Sequence, residues 1–330
     1  MTRPDRVYSR IIGTGSYLPE KVLTNKELEK LVETSDDWIF TRTGIRERRL
    51  AADDQATSDL CVEAAREALA MAGCRALDLD MVIVATLTPD HLIPSTACVL
   101  QHELGADKAA AMDLEAACTG FIYALAVADQ FIRSGTYDKI LVTGAEVLSR
   151  WIDWEDRGTC IIFGDGAGAA VLAPDTSPGV MTTHLFADGS QADTLIIPAG
   201  GSRLPITGEV MEQRLQYIKM AGNEIFKLAV RGMVQAAEAA LEAAGLEGED
   251  VDLLIPHQAN IRIIEATARK LDIPMDKIMV NIEFCGNTSA GTIPIALDEA
   301  VRAERIKKND IILLDAFGAG FTWGSAVIQW

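Results

Sequence analysis

No apolar run in the sequence approaches the ~18–20 residues that a membrane-spanning helix needs. No N-terminal stretch combines a basic start, an apolar core and a small-residue cleavage site. A soluble, cytoplasmic protein is therefore the expectation. The six cysteines (Cys61, Cys74, Cys98, Cys118, Cys160 and Cys285) are scattered, with no CxxC pair and no framework spacing. Such scatter gives no sign of a disulfide scaffold or a metal site and suits reduced thiols. Positive charge is in short supply: 30 Lys and Arg against 48 Asp and Glu leave a formal charge of −18. That balance argues against nucleic-acid binding, although a local basic patch can still act inside a negative field. Histidine is scarce too, limited to His91, His102, His184 and His257.

What is abundant is apolar sequence, 49% of 330 residues, enough to bury a large core in one large domain or two fused ones. An internal repeat organises it. Residues 64–80 (AAREALAMAGCRALDLD) and 236–252 (AAEAALEAAGLEGEDVD), offset by 172, are identical at eight of seventeen positions without a gap. Ala-rich helices match each other by composition, but the shared Gly stop and the Asp-x-Asp before an apolar strand make the match more specific. A second echo pairs FGDGAGAAVL (163–172) with FGAGFTWGSAVI (317–328). Each is expected to follow a strand (TCII, IILLDA) and turn into another, a hairpin, so GDGAG is not a dinucleotide fingerprint. An ancient duplication is expected, with residues 1–175 forming one half and 176–330 the other.

Within each half, helices and strands alternate. Helices are expected over 58–73, 94–104 and 118–134, then 222–245, 259–271 and 287–304, and strands over 81–86, 109–114 and 139–143, then 253–256, 278–282 and 310–315. Alternation with short apolar strands predicts an α/β fold of mostly parallel sheets covered by helices. Two such halves would stack as helix, sheet, helix, sheet, helix.

The chemistry concentrates at three junctions. Cys118 stands where a short strand passes into a long apolar helix, among Ala116, Ala117, Thr119 and Gly120. Unpaired N–H groups and the helix dipole there favour thiolate. Cys61, Cys74, Cys98 and Cys160 fall on helix faces or strands and are expected in the core. His257 follows a buried-looking strand in LLIPHQAN, and strand C-terminal ends are where open α/β sheets place their chemistry. His91 sits at the corresponding end in the first half, whereas His102 and His184 read as surface or structural. Asn287, in CGNTSAGT, follows a strand and opens a helix; an N-cap role explains it equally well when taken alone. A Cys thiolate can hold an acyl group as a thioester, and His and Asn can donate to a developing enolate. Cys-His-Asn also serves hydrolases in which Asn orients the His, though no papain-like CGSCW occurs here.

At these residues the sequence resembles the β-ketoacyl-acyl carrier protein synthase III family of condensing enzymes. The blocks that carry the likeness are TSDDWIFTRTGIRERR, DLEAACTGF, DRGTCIIFGDGAGAAVL, MAGNEIFKLAV, PHQANIRII, GNTSAGTIPIALDEAVR and FGAGFTWGSAVI, in order along nearly the whole chain. The resemblance implies the thiolase fold, an internally duplicated five-layer α/β/α/β/α homodimer. It implies that acetyl-CoA or another acyl-CoA acylates Cys118, and that malonyl-acyl carrier protein then decarboxylates to an enolate held by His257 and Asn287. The backbone N–H groups of Cys118 and Ala319 would form the oxyanion hole. Trp38 and Arg157 would sandwich the CoA adenine with Thr34 and Arg42 beside the nucleotide, and Lys227, Arg262, Arg269 and Lys270 would dock the carrier protein. No cofactor is implied beyond the CoA thioesters, which are substrates. Three positions depart from the family's usual pattern: FGAG replaces FGGG, Cys285 precedes the GN, and Ile93 lies near a partner-subunit gate. These leave starter length open, including longer or aromatic starters of specialised metabolism. A hydrolase and a non-catalytic carrier-binding module are the readings from other classes.

Overall fold

A computed structural model of the chain describes residues 7–330; residues 1–6 of the expected first half lie outside the described residues. In chain order the main elements are β1 (Tyr8–Tyr17), α1 (Asp36–Thr43), α2 (Thr57–Ala72), β2 (Met81–Ala85), α3 (Thr96–Glu103), β3 (Ala110–Leu114), α4 (Gly120–Ser134), β4 (Ile140–Glu146) and β5 (Gly166–Asp175). They continue with β6 (Val180–Ala187), α5 (Gly222–Ala244), β7 (Leu253–Pro256), α6 (Ile261–Lys270), α7 (Thr292–Arg302), β8 (Ile311–Gly318) and β9 (Thr322–Gln329).

The strands form two main sheets, ordered β1-β5-β4-β2-β3 and β7-β8-β9-β6. One apolar cluster packs Phe121, Leu125 and Ile132 of α4 with Ile293, Ala296 and Leu297 of α7 and with strand residues of both sheets. The two helices therefore lie between the sheets. A second cluster places α2 and α3 on the outer face of the first sheet, and a third places α5 and α6 on the outer face of the second. This is the expected five-layer α/β arrangement. Its elements explain themselves locally. In α2, Leu60, Cys61, Ala64, Ala65, Ala68 and Leu69 recur at helical spacing and are buried, and Gly73 closes the helix at φ +58°. Gly13 and Gly15 of β1 allow α2 to lie flush on the sheet, since a Cβ at either would meet an Ala68 or Ala64 carbonyl oxygen at 2.3 or 2.2 Å.

Three expectations need correction. The sheets are mixed rather than mostly parallel: β2 pairs parallel with β3 and β4, and β7 with β8, but the other main-sheet pairings are antiparallel. Residues 278–282 make one bridge, Ile278 to Leu254, and no strand. The Gln258 side-chain oxygen takes the Asn281 and Ile282 N–H groups, and a short helix begins at Ile282. Residues 159–162 are turns, because Thr159 and Cys160 N–H groups return to the Asp156 carbonyl. The FGDGAG segment thus joins no hairpin, and β5 pairs with β4 instead. FGAGFTW does form the expected hairpin, β8 with β9. A fourth expectation holds only in part: Cys61 and Cys160 lie in the core as expected, but Cys98 is exposed and Cys74 half-buried.

Candidate active site

Cys118 lies in a single 3-10 turn, 117–119, between β3 and α4. Ala117 holds φ +45°, a left-handed conformation unusual for alanine, so the backbone turns sharply under the thiol. Gly318 of β8 faces the turn from the other sheet: a Cβ there would stand 2.8 Å from Cys118 N and 3.1 Å from Thr119 N. The glycine therefore leaves the Cys118 N–H uncovered, while Thr119 N–H donates to Ala116 O at 3.1 Å. Thr322 Oγ1 donates to Ala116 O at 3.0 Å and Thr119 Oγ1 to Thr322 O at 3.1 Å, tying the Ala319 turn to the Cys118 turn. The expected thiolate is not the resting state. Burial pushes the Cys118 thiol up to about 12, against a lowering contribution from Ser289. A helix terminus contributes only ~0.3–2 kcal/mol toward the charged form, less than full desolvation removes.

His257 directly follows β7 and is buried. Its Nδ1 lies 2.7 Å from Thr292 Oγ1, and Thr292 Oγ1 donates to Ser289 O at 2.9 Å. A hydroxyl has one proton, so both contacts hold together when Nδ1–H donates to Thr292, which leaves Nε2 a bare acceptor. Burial lowers the His257 pKa to about 3, so the ring is neutral, and with its one N–H on Thr292 it has no donor left for the enolate it was expected to hold.

Asn287 is held at both backbone ends, its N–H donating to Ile162 O at 2.9 Å and its C=O accepting from Gly164 N at 3.0 Å. Its Oδ1 accepts from Ser289 N–H at 2.8 Å, which turns Nδ2 outward as a donor. The bond closes a local turn and does not cap α7, which begins only at Thr292 after Gly291. The N-cap reading is thereby set aside.

A cavity of ≈150 Å³ is lined by Cys118, Phe163, Phe226, His257, Asn260, Ile263 and Asn287, among others, so all three expected groups meet in one narrow space. A second of ≈580 Å³ also reaches Cys118, past Leu87, Glu115, Ala117, Ser289 and Ala319. His91 and His102 are exposed, and His184 is half-buried on β6. The position offset by 172 from His257 is Ala85, not His91.

At the surface, Arg42 and Arg157 both lie over the Trp38 ring, with Cζ 4.3 and 4.7 Å from its centroid. Thr34 Oγ1 nearby is buried and has no hydrogen-bond partner. Asn260, which lines the narrow cavity, donates to Arg42 O at 2.8 Å and so joins this cluster to the channel. Lys227 on α5 and Arg262, Arg269 and Lys270 on α6 are all exposed. A groove of ≈660 Å³ between the two helices brings Lys227 and Lys270 together with Arg231, which the sequence reading missed. Missed as well were Ser289, Thr292 and the fully buried Glu146; a lone acid in the apolar strand KILVTGAEVL was the available signal for the last. Among the described residues no group of three or more His, Cys, Asp or Glu could hold a metal ion. No helix among them is long and apolar enough to cross a membrane.

Comparison with known proteins agrees with this geometry. Residues 112–189 match the family model of 3-oxoacyl-[acyl-carrier-protein (ACP)] synthase III, and residues 241–330 match the model of its C-terminal part. The chain is similar to the β-ketoacyl-[acyl-carrier-protein] synthase III of Caldanaerobacter subterraneus, 55% identical over 327 residues and 99% of both chains. Its fold is similar to that of 3-oxoacyl-[acyl-carrier-protein] synthase III from Aquifex aeolicus, with a TM-score of 0.90 and 48% identity over 98% of this chain and 100% of the other. It is also similar to the priming β-ketosynthase of the R1128 polyketide pathway, with a TM-score of 0.92 and 36% identity over 100% of this chain and 98% of the other. With its cysteine, histidine and asparagine around one cavity of a five-layer fold, the chain belongs to the β-ketoacyl-[acyl-carrier-protein] synthase III family.

Proposed function

We propose that Cys118, His257 and Asn287 carry out the family's reaction, the decarboxylating condensation of an acyl-CoA starter with malonyl-acyl carrier protein to give 3-oxoacyl-acyl carrier protein. The observation that carries this reading is the meeting of the three side chains in one cavity. The acyl-CoA lays its nucleotide against Trp38, Arg42, Arg157 and Thr34 and runs its thiol arm past Asn260 to Cys118. As Sγ attacks the thioester, the neutral thiol passes its proton to the bare Nε2 of His257, which returns it to the leaving CoA sulfur. The oxyanion is met by the N–H groups of Cys118 and Ala319; the Ala319 methyl leaves its backbone donor in place. Asn287 Nδ2 then faces the enolate that forms as malonyl loses CO2. Acetyl is our starter assignment, and the ≈580 Å³ cavity has room for longer chains.

A hydrolase would need Asn287 to orient His257. Here Thr292 holds the histidine, and Asn287 spends its oxygen on Ser289, which favours condensation. We read residues 1–175 and 176–330 as the duplicated halves. The working form is a homodimer: β3 is a sheet edge, and Leu92 and Ile93 stand 91% and 85% exposed beside it, as residues awaiting a second copy would. Mass spectrometry after incubation with CoA thioesters of increasing length tests the function. An acyl adduct on Cys118, discharged as a C–C product by malonyl-acyl carrier protein, supports it; hydrolysis without a C–C product overturns it.

A further inference from the structure

Each complete turnover consumes one proton. Acylation merely moves the Cys118 proton to the CoA sulfur. In the second step the malonyl C–COO⁻ bond breaks and CO2 leaves. The electron pair forms the new C–C bond, the acyl C–S bond breaks, and its pair stays on Cys118 Sγ. That buried thiolate must be reprotonated before another cycle. His257 is poorly placed to do so at rest, being neutral with its one N–H engaged by Thr292.

A second buried acid stands behind Cys118. Glu146, the last residue of β4, is fully buried, and no cation pairs with it among the described residues. Its carboxylate accepts from Thr88 Oγ1 at 2.6 Å, Thr86 Oγ1 at 3.1 Å and the N–H groups of Leu87 and Thr88 at 3.2 and 3.1 Å. All of these donors come from the chain leaving β2. Ser289, which shares a cavity with Leu87 and Cys118, lies close enough to lower the proton affinity of both Glu146 and Cys118, yet its Oγ has no closed hydrogen bond. Ser289 lines the ≈580 Å³ cavity with Cys118, while Thr88 lines a separate cavity of ≈280 Å³ with Thr57, Asp90, Val147 and the exposed Arg150. Glu146 thus lies behind both cavities, since its donor Leu87 lines the first with Ser289 and its donor Thr88 lines the second.

We propose that Ser289 and Glu146 form the proton route to Cys118: Ser289 Oγ–H protonates the thiolate, Glu146 restores the Ser289 proton, and Glu146 is recharged from solvent through the Thr88 cavity. The inference rests on the reading of Cys118 as the nucleophile. In this route Ser289 faces the reacting sulfur across the cavity that both line, and Glu146 acts through Ser289. Burial raises the Glu146 pKa to about 7, with Thr88, Leu87 and Thr86 pulling it back. The ionisable groups facing this acid are Cys118 on the active-site turn and Cys61 on α2; Asp90 and Asp113 also act on Cys61, and Glu115 on Cys118. An acid donates only while protonated, so turnover should fall as pH rises through that value, whereas single-turnover acetylation should not.

The test compares wild type, Ser289→Ala, Glu146→Gln and Glu146→Asp with acetyl-CoA and malonyl-acyl carrier protein. Acetylation of Cys118 is followed by intact-mass measurement, and kcat by CO2 release across pH. Ser289→Ala should acetylate close to the wild-type rate but lose roughly 10²-fold in kcat with KM held. Glu146→Gln should lose kcat similarly and lack the alkaline fall, and Glu146→Asp should regain part of both. Wild-type kcat in Ser289→Ala, or an alkaline fall retained in Glu146→Gln, overturns the route. Should Glu146→Gln fail to fold, Ser289→Ala decides alone, since it removes a single unpartnered oxygen. Failure of wild-type Cys118 to acetylate would instead overturn the reading of the site.

Discussion

The two halves of the chain build the same turn and put different chemistry on it. Ala117 and Ser289 are offset by the 172 residues of the sequence repeat, and both hold left-handed φ angles, +45° and +48°. Each opens a 3-10 turn, 117–119 and 289–291, that runs directly into a helix between the sheets. Two residues earlier, Glu115 Oε1 accepts from Ala117 N–H at 2.9 Å, and Asn287 Oδ1 accepts from Ser289 N–H at 2.8 Å. The two turns thus match down to a side-chain hydrogen bond. The function is not. By the same offset Cys118 answers to Ala290, His257 to Ala85, Asn287 to Glu115 and Glu146 to Gly318. Where one half carries a reactive group, the other supplies a small residue or an exposed one, and so one site is made rather than two.

The largest expected effect is loss of the nucleophile. Cys118→Ser should leave no acyl adduct detectable by mass spectrometry, while Cys61→Ser and Cys160→Ser acylate normally. An adduct persisting in Cys118→Ser would mean that the unequal pairing of Cys118 with Ala290 does not locate the chemistry.

Next come the oxyanion and enolate contacts. Gly318→Ala places a methyl 2.8 Å from Cys118 N and should slow acylation about 10²–10³-fold, the usual loss for one such donor. Asn287→Asp keeps the acceptor for Ser289 N–H but removes the Nδ2 donor. Decarboxylation should fall by about 10²–10³-fold while self-acylation persists. Glu115→Ala deletes the matching turn bond in the first half, and its CO2 release should stay close to wild type. Equal losses in Asn287→Asp and Glu115→Ala would show that the turn, not the amide donor, is what matters.

This comparison also marks what could be read from sequence. The repeat, the five layers and the junctions at Cys118 and His257 were legible because helix periodicity, Gly stops and strand ends are local signals. The segments 278–282 and 159–162 were not, because an apolar run cannot tell a buried strand from a buried turn. What decided them was distant: the Gln258 side chain at Asn281, and the fully buried Arg48, whose guanidinium donates to Ile161 O at 2.7 Å. The resting state of Cys118 was missed for the same reason. Its helix-start position is written in the sequence, but the burial that outweighs it belongs to the folded chain, where Cys118 lies enclosed between the two sheets. Glu115, Ser289 and Thr292 gained meaning only when the two turns could be laid side by side.

The smallest expected effect lies on the outer helices, where the halves also diverge. By the repeat offset the first residue of α2, Thr57, answers to Ala229, so 222–228 of α5 have no counterpart in the first half. This extra stretch brings Phe226 to the active-site channel and Lys227 to the basic groove with Arg231 and Lys270. Arg262 stands next to Ile263, which lines the channel, so the basic face borders its mouth. An enzyme of charge −18 should repel an acidic carrier protein at long range, and we propose this local basic face as the place of encounter. Exposed ion pairs contribute at most ~1 kcal/mol each, so Arg262→Glu should raise KM for malonyl-acyl carrier protein by roughly 2–5-fold. KM for acetyl-CoA should not move, because the contacts proposed for it lie at Trp38, Arg42 and Arg157. Combining Lys227→Glu with Arg262→Glu should deepen the effect, and salt should shrink it as the Debye length falls below ~8–10 Å. Reversing Arg66, an exposed arginine on the matching helix α2, supplies the control and should leave both constants unchanged. If Arg66→Glu and Arg262→Glu behave alike at low salt, the basic face of the second half has no role in docking.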